Sequence, residues 1–73
     1  MTSATSLISV WSALLTLARV QQGLTQRGLA EVSGIRQSQL SHWESGGEFS
    51  LRNLVRWADA LGFEVALVRR EVS

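Results

Sequence analysis

The chain of 73 residues contains no cysteine and no proline. Without cysteine there is neither a disulfide nor a thiolate metal site, and the one histidine cannot hold zinc alone. A domain of this size lies near the limit at which a single core suffices, so self-association is the remaining source of extra stability. Lysine is missing as well. All 7 basic residues are arginine, set against 6 acids for a formal net charge of +1. Such a balance excludes a polycation, and a nucleic-acid binder built on it needs a local basic patch. Arginine forks onto phosphate and base edges, but a GC-rich coding bias produces the same usage, so the count alone does not choose.

Long hydrophobic runs are also lacking, although 45% of the residues are apolar. The opening run is broken by Ser9, Ser12 and Thr16 and falls short of the ~20 residues that a membrane span needs. No basic stretch precedes it, as a secretory leader would require, so the expected compartment is the cytoplasm. No nucleophile and base stand at motif spacing, and there is no phosphate-binding glycine loop and no paired-carboxylate motif. These absences argue against an enzyme, and no cofactor or metal is expected. The chain has no repeat, no low-complexity segment and no linker.

Glycine is present as punctuation, at Gly23, Gly34, Gly46 with Gly47, and Gly62, and between these marks the apolar spacing is helical. Leu7, Trp11, Leu14 and Ala18, with Leu15 and Leu17, predict a first helix from about Ser6 to Gln21. Thr25 can cap a short second helix through Val32. Gly34 turns the chain into a third helix ending near Glu44. Ser50 caps a fourth, with Leu51, Leu54, Val55, Ala58 and Leu61 on one face.

After Gly62 the period changes. Phe63, Val65 and Leu67 alternate with Glu64, Ala66 and Val68, and this pattern predicts a strand. A lone strand needs a partner and nothing else in the chain reads as one. The economical solution is the same strand from a second copy, with Phe63, Val65 and Leu67 closing a homodimer. The expected organisation is therefore an all-α bundle of four to five helices over residues 1–62, followed by a dimerising strand and tail over residues 63–73.

One stretch is unusually polar. "GIRQSQLSHWESGG", residues 34–47, sets Arg36, Gln37, Ser38, Gln39, Ser41 and His42 around two large apolar residues, Leu40 and Trp43. Polar residues on a short helix are commonly just a solvated face. Here they follow another short helix across a glycine turn, with Ala30, Ile35 and Leu40 placed to pack inside the elbow, which is the layout of a helix-turn-helix.

The run "LTQRGLAEVSGIRQSQLSHWESG" resembles the Cro/cI-type repressors of the XRE family, with their Thr-Gln, Leu-Ala, glycine, apolar elbow residue and Glu-x-Gly ending. With the flanking helices, the resemblance covers about residues 14–62. It implies a lambda-repressor-like bundle whose third helix enters the DNA major groove, the protein acting as a sequence-specific, homodimeric repressor on the nucleoid. It also implies that Gln37, Ser38 and His42 face base edges and that Arg36 sits at the groove mouth. Gln can pair bidentately with adenine and Arg with guanine. Gln26, first in the second helix, would hold a phosphate with its backbone N–H and its side chain, at a helix N-terminus where free N–H groups attract anions. Thr25, Arg27 and Arg52 are further phosphate candidates, Arg56 being a solvated neighbour of Arg52. His42 reads equally as an idle exposed side chain.

In the family, the positions of Arg19 and Glu44 match a buried ion pair. Glu44 needs such a cation, because an acid at a helix C-terminus opposes the macrodipole. Two residues depart from the family pattern. Arg36 stands where a Ser or Thr usually caps the recognition helix, and Gly28 replaces the usual acid, so there is no capping box. The loop "ESGGEFS" is poor in cations, and Glu48 would repel a phosphate.

The first helix is more apolar than this role requires. Leu7, Val10, Trp11, Leu14 and Leu17 exceed what one core stripe buries, and the surplus is expected to pack on the C-terminal ribbon or on another protein. A helix-turn-helix followed by "LGFEVALV" resembles the HipB-type antitoxins, whose dimer is closed by a strand from each subunit. The alternative function is thus an antitoxin that binds a toxin protein and represses its own operon. It lacks a long neutralising tail. A third reading is a dimerisation module without DNA binding.

Overall fold

The computed structural model describes residues 4–69, with side chains from Val10 onward. Among the described residues there are four helices in chain order: α1 Ala4–Gln21, α2 Gln26–Ser33, α3 Gln37–Glu44 and α4 Leu51–Ala60. Their limits follow from local chemistry. The Thr25 hydroxyl accepts the Gly28 N–H at 2.9 Å and caps α2, and the Ser50 hydroxyl accepts the Asn53 N–H at 3.1 Å and caps α4. At the end of α2, Gly34 takes φ of 73°, a left-handed conformation open to glycine at no steric cost, and its N–H closes on Ala30 C=O. That turn lets α3 leave at an angle and pack on α2.

The core joins all four helices. Leu15 and Ala18 of α1, Leu29 of α2, Leu40 and Trp43 of α3, and Leu54, Trp57, Ala58 and Leu61 at α4 are buried, with Ile35 filling the elbow. Leu29, Leu40 and Trp57 are completely enclosed. Burying each such side chain is worth ~1.5–3 kcal/mol. Trp43, Phe49 and Trp57 form an aromatic cluster with ring centroids 5.5–6.4 Å apart, which ties α3 and the following loop to α4. Hydrogen bonds help pin α1 and the residue that follows it. Ser12 donates its hydroxyl to the Trp43 carbonyl at 2.6 Å, and Gln22 donates to the Leu61 carbonyl at 2.8 Å.

Two sequence-based expectations change. Residues 63–69 form no strand. A ladder needs a second strand, and the described residues of one chain offer none. Phe63 and Leu67 are exposed, while Val65 is half-buried against the core; residues 70–73 of the expected tail lie outside the described residues.

The inward stripe of α4 is Leu54, Trp57, Ala58 and Leu61, not the face containing Leu51 and Val55, which are exposed. The helix is turned so that its largest apolar side chain fills the centre.

In α1 the side facing the core carries Ser12, Leu15, Ala18 and Arg19, while Val10, Trp11, Leu14 and Leu17 are exposed. The polar Ser12 and Arg19 turn inward because each finds a partner there. The Leu7 side chain lies outside the described residues.

Candidate nucleic-acid interface

With Leu40 and Trp43 buried, helical geometry turns the rest of α3 away from the core. Arg36, Gln37, Ser38, Gln39, Ser41 and His42 are all exposed. Arg36 is the N-cap residue and makes no side-chain capping bond, so its guanidinium extends freely from the start of the helix. Gln37 and Ser38 occupy the first turn, where backbone N–H groups have no intrahelical acceptor.

His42 lies one turn after Ser38, at the other end of α3. Its ring rests against Gly47, and a methyl group added at Gly47 would run into the imidazole. A side chain at Gly47 would thus require the exposed His42 ring to move aside, and the Gly47 N–H bonds to the His42 carbonyl at 2.8 Å.

Between this side of α3 and the start of α4 runs an open groove of about 600 Å³, lined by Ser38, Gln39, His42, Trp43, Glu48, Phe49, Ser50 and Asn53. Gln39 and Asn53 are polar residues of this groove that sequence reasoning left without a role. Their signal was their spacing, one beside Ser38 and the other three residues after the Ser50 cap. Glu48 is the groove's one carboxylate. Arg27 of α2 and Arg52 of α4 are exposed, as is Arg56 one turn further on.

Behind α3 lies a compact polar lock. Arg19 Nε donates to Glu44 Oε2 at 2.7 Å and Arg19 Nη2 to Glu44 Oε1 at 2.9 Å, a bidentate pair. Arg19 Nη1 donates to the Leu24 carbonyl at 2.7 Å, and Gln26 Nε2 donates to Glu44 Oε1 at 3.0 Å. The pair is largely screened from water, its side chains being 14% and 6% exposed. The hydrogen bond to Glu44 raises the Arg19 pKa above its ordinary value, against the opposing effect of burial and with a further contribution from the carboxylate charge.

The lock neutralises the only acid in α3, so the exposed side of that helix carries no carboxylate. It also occupies the side chain of Gln26, whose backbone N–H remains at the α2 N-terminus. Thr25 accepts the capping bond and keeps its hydroxyl proton to donate outward.

Among the described residues, no group of three or more His, Cys, Asp and Glu side chains could hold a metal ion, and no helix is long and apolar enough to cross a membrane. The assembled geometry is two short helices around a left-handed glycine, the second backed by an apolar anchor and bare on its polar side. A family model described as helix-turn-helix matches residues 15–68, most of the chain. No curated protein and no solved structure matches it significantly. The chain belongs to the helix-turn-helix family of Cro/cI-type DNA-binding regulators.

Proposed function

We propose that the protein is a homodimeric, sequence-specific repressor that lays α3 of each copy in a major groove of duplex DNA. One observation carries this reading: Gln37 and Ser38 stand open on α3 while Leu40 and Trp43 hold it from behind. Gln37, Ser38 and Arg36 read base edges, Gln37 having the two-pronged amide that suits adenine. His42, further along the helix, faces the edge of the site. The N-terminus of α2, through the Gln26 backbone N–H and the Thr25 hydroxyl, positions a phosphate, and Arg27 and Arg52 add charge. Two copies bring half-sites about one helical turn, ~34 Å, apart. Pairing of the extended residues Phe63, Val65 and Leu67 between copies supplies the two-fold relation.

Selection from a random duplex pool tests the reading. Two related half-sites at one-turn spacing are expected, and a pool that enriches no motif would refute it. On the selected site, Gln37→Ala should weaken binding by ~1–3 kcal/mol and relax preference at one position. Arg52→Ala should instead weaken all duplexes alike and lower the salt slope by about 0.9 for each phosphate it no longer neutralises. Equal effects of the two variants on specific and random DNA would show that α3 reads nothing.

Arg36 exchanges stability for contact. As an N-cap without a capping side chain it leaves ~0.5–2 kcal/mol unrealised. Arg36→Ser should therefore melt higher and bind the selected duplex more weakly, measured by calorimetry and gel shift. Unchanged or tighter binding would rule out a DNA contact from Arg36.

A further inference from the structure

The apolar side of α1 is not used by the core or by the DNA-facing half. Val10, Leu14 and Leu17 are each 53% exposed and Trp11 is 41% exposed. The only charged residue of this helix, Arg19, is turned inward onto Glu44, so the exposed side is electrically neutral.

Trp11 and Leu14 also form one wall of an apolar cavity of about 160 Å³, with Leu15 and Ala58 behind it and Phe63 and Val65 opposite. An apolar hollow of ~150 Å³ takes up one benzene-sized group. A short way along the chain from this cavity, Leu67 projects with its side chain as open as in an extended peptide, at 105% relative exposure. Past the bond from the Phe63 N–H to the Ala58 carbonyl at 2.9 Å, residues 64–69 have no backbone partner among the described residues.

We propose that a second copy of this chain covers this surface, with Leu67 of each copy seated in the other's cavity between α1 and residues 63–65. A knob and a hole on one molecule form a self-complementary patch, as a two-fold contact requires. Val10, Trp11, Leu14, Leu17, Phe63 and Leu67 expose on the order of 700 Å² together, close to the roughly 800 Å² per partner of a standard interface. No like charges meet on the α1 side, and Glu64, the one charged residue of the cavity, is exposed at its rim. The unpaired backbone of residues 64–69 gains a partner in the same segment of the second copy. This interface rests on the homodimer reading above and extends it from a strand pair to a surface that includes α1.

Disulfide trapping and sedimentation equilibrium test it together. Because the chain has no cysteine, L14C and L67C versions carry one thiol each. Mixed and mildly oxidised, they should give predominantly the L14C–L67C cross-linked pair. Leu67→Asp, at a position outside the core, should raise the dimer dissociation constant at least tenfold with an unchanged helical circular dichroism spectrum. A dimer that survives Leu67→Asp and yields no L14C–L67C bond overturns the surface while leaving the homodimer standing. A chain that stays monomeric at every concentration, alone and on DNA, overturns both.

Discussion

Arg19→Ala is expected to melt at least about 12 °C below the parent chain. Removing one partner of a buried, hydrogen-bonded pair costs ~3–5 kcal/mol, because the other charge remains desolvated. In a domain of this size each kcal/mol shifts the midpoint by ~4–8 °C. With side-chain exposures of 14% and 6% the pair is partly buried, so the loss falls at the low end of the ~3–5 kcal/mol range, still above the under ~1 kcal/mol of an exposed pair. The guanidinium also ties down the Leu24 carbonyl, so the alanine variant orphans a backbone acceptor at the entry to α2.

Salt and pH separate the two classes. A screened pair keeps its difference from the variant when salt is raised, whereas a surface pair loses it. The Arg19 pKa is raised on folding, so on the alkaline side its contribution is untouched until pH reaches the ordinary guanidinium value. That contribution disappears only as pH climbs through the raised folded value. The gap between parent and Arg19→Ala should thus stay level across the neutral and mildly alkaline range. A melt of Arg19→Ala within about 3 °C of the parent would mean that the lock is decorative.

The same lock bears on the interface. Glu44 is in α3, and its carboxylate accepts from Arg19 of α1 and from Gln26 at the start of α2, so one side chain ties the three helices together. Loss of Arg19 releases a negative charge within α3 as well as loosening it.

How legible these features were depended on how local their cause is. Thr25, Gly34 and Ser50 set element boundaries through a hydroxyl or a missing side chain, and each acts within a turn of its own position. That is why the limits of α2, α3 and α4 could be read to within about a residue or two. The outward side of α3 was equally accessible, since Leu40 and Trp43 leave only one side for the polar residues.

Orientation of the outer helices was not local. In α1, apolar residues occupy most of the circumference, and the inward side carries Arg19 on Glu44, a pair expected only from the resemblance, and Ser12 on the Trp43 carbonyl, which no local pattern announces. Both partners lie far along the chain, so a serine that interrupts an apolar run reads as a break when it is a buried strut. The segment after Gly62 has the alternation of a strand, but a ladder is a property of two segments. One chain supplies only the first.

Trp57 is the other place where a single substitution should be costly, and the reason it escaped the sequence reading explains the size of the effect. Leu51, Leu54, Val55, Ala58 and Leu61 satisfy the helical period as well as Leu54, Trp57, Ala58 and Leu61 do. The two stripes share three residues, so periodicity cannot rank them, and bulk decides: the indole has far more apolar surface to hide than Leu51 or Val55. Fully enclosed between Trp43 and Phe49, it fills the space behind the recognition helix. Trp57→Ala should lose ~3–5 kcal/mol.

Trp57→Phe should behave differently. The indole Nε1–H is buried with no hydrogen-bond partner, a burden of ~1–3 kcal/mol that phenylalanine removes while keeping most of the ring packing. The missing volume and the removed orphan donor then nearly offset, and the Phe variant should melt within about 8 °C of the parent. A Phe variant as unstable as the Ala variant would mean that the donor is satisfied in solution. Because Trp57 packs on Trp43, and Trp43 anchors α3, the Ala variant should also bind DNA more weakly at temperatures where it is still folded. In the Phe variant, which keeps a ring against Trp43, affinity should stay within about threefold of the parent, a difference under ~1 kcal/mol.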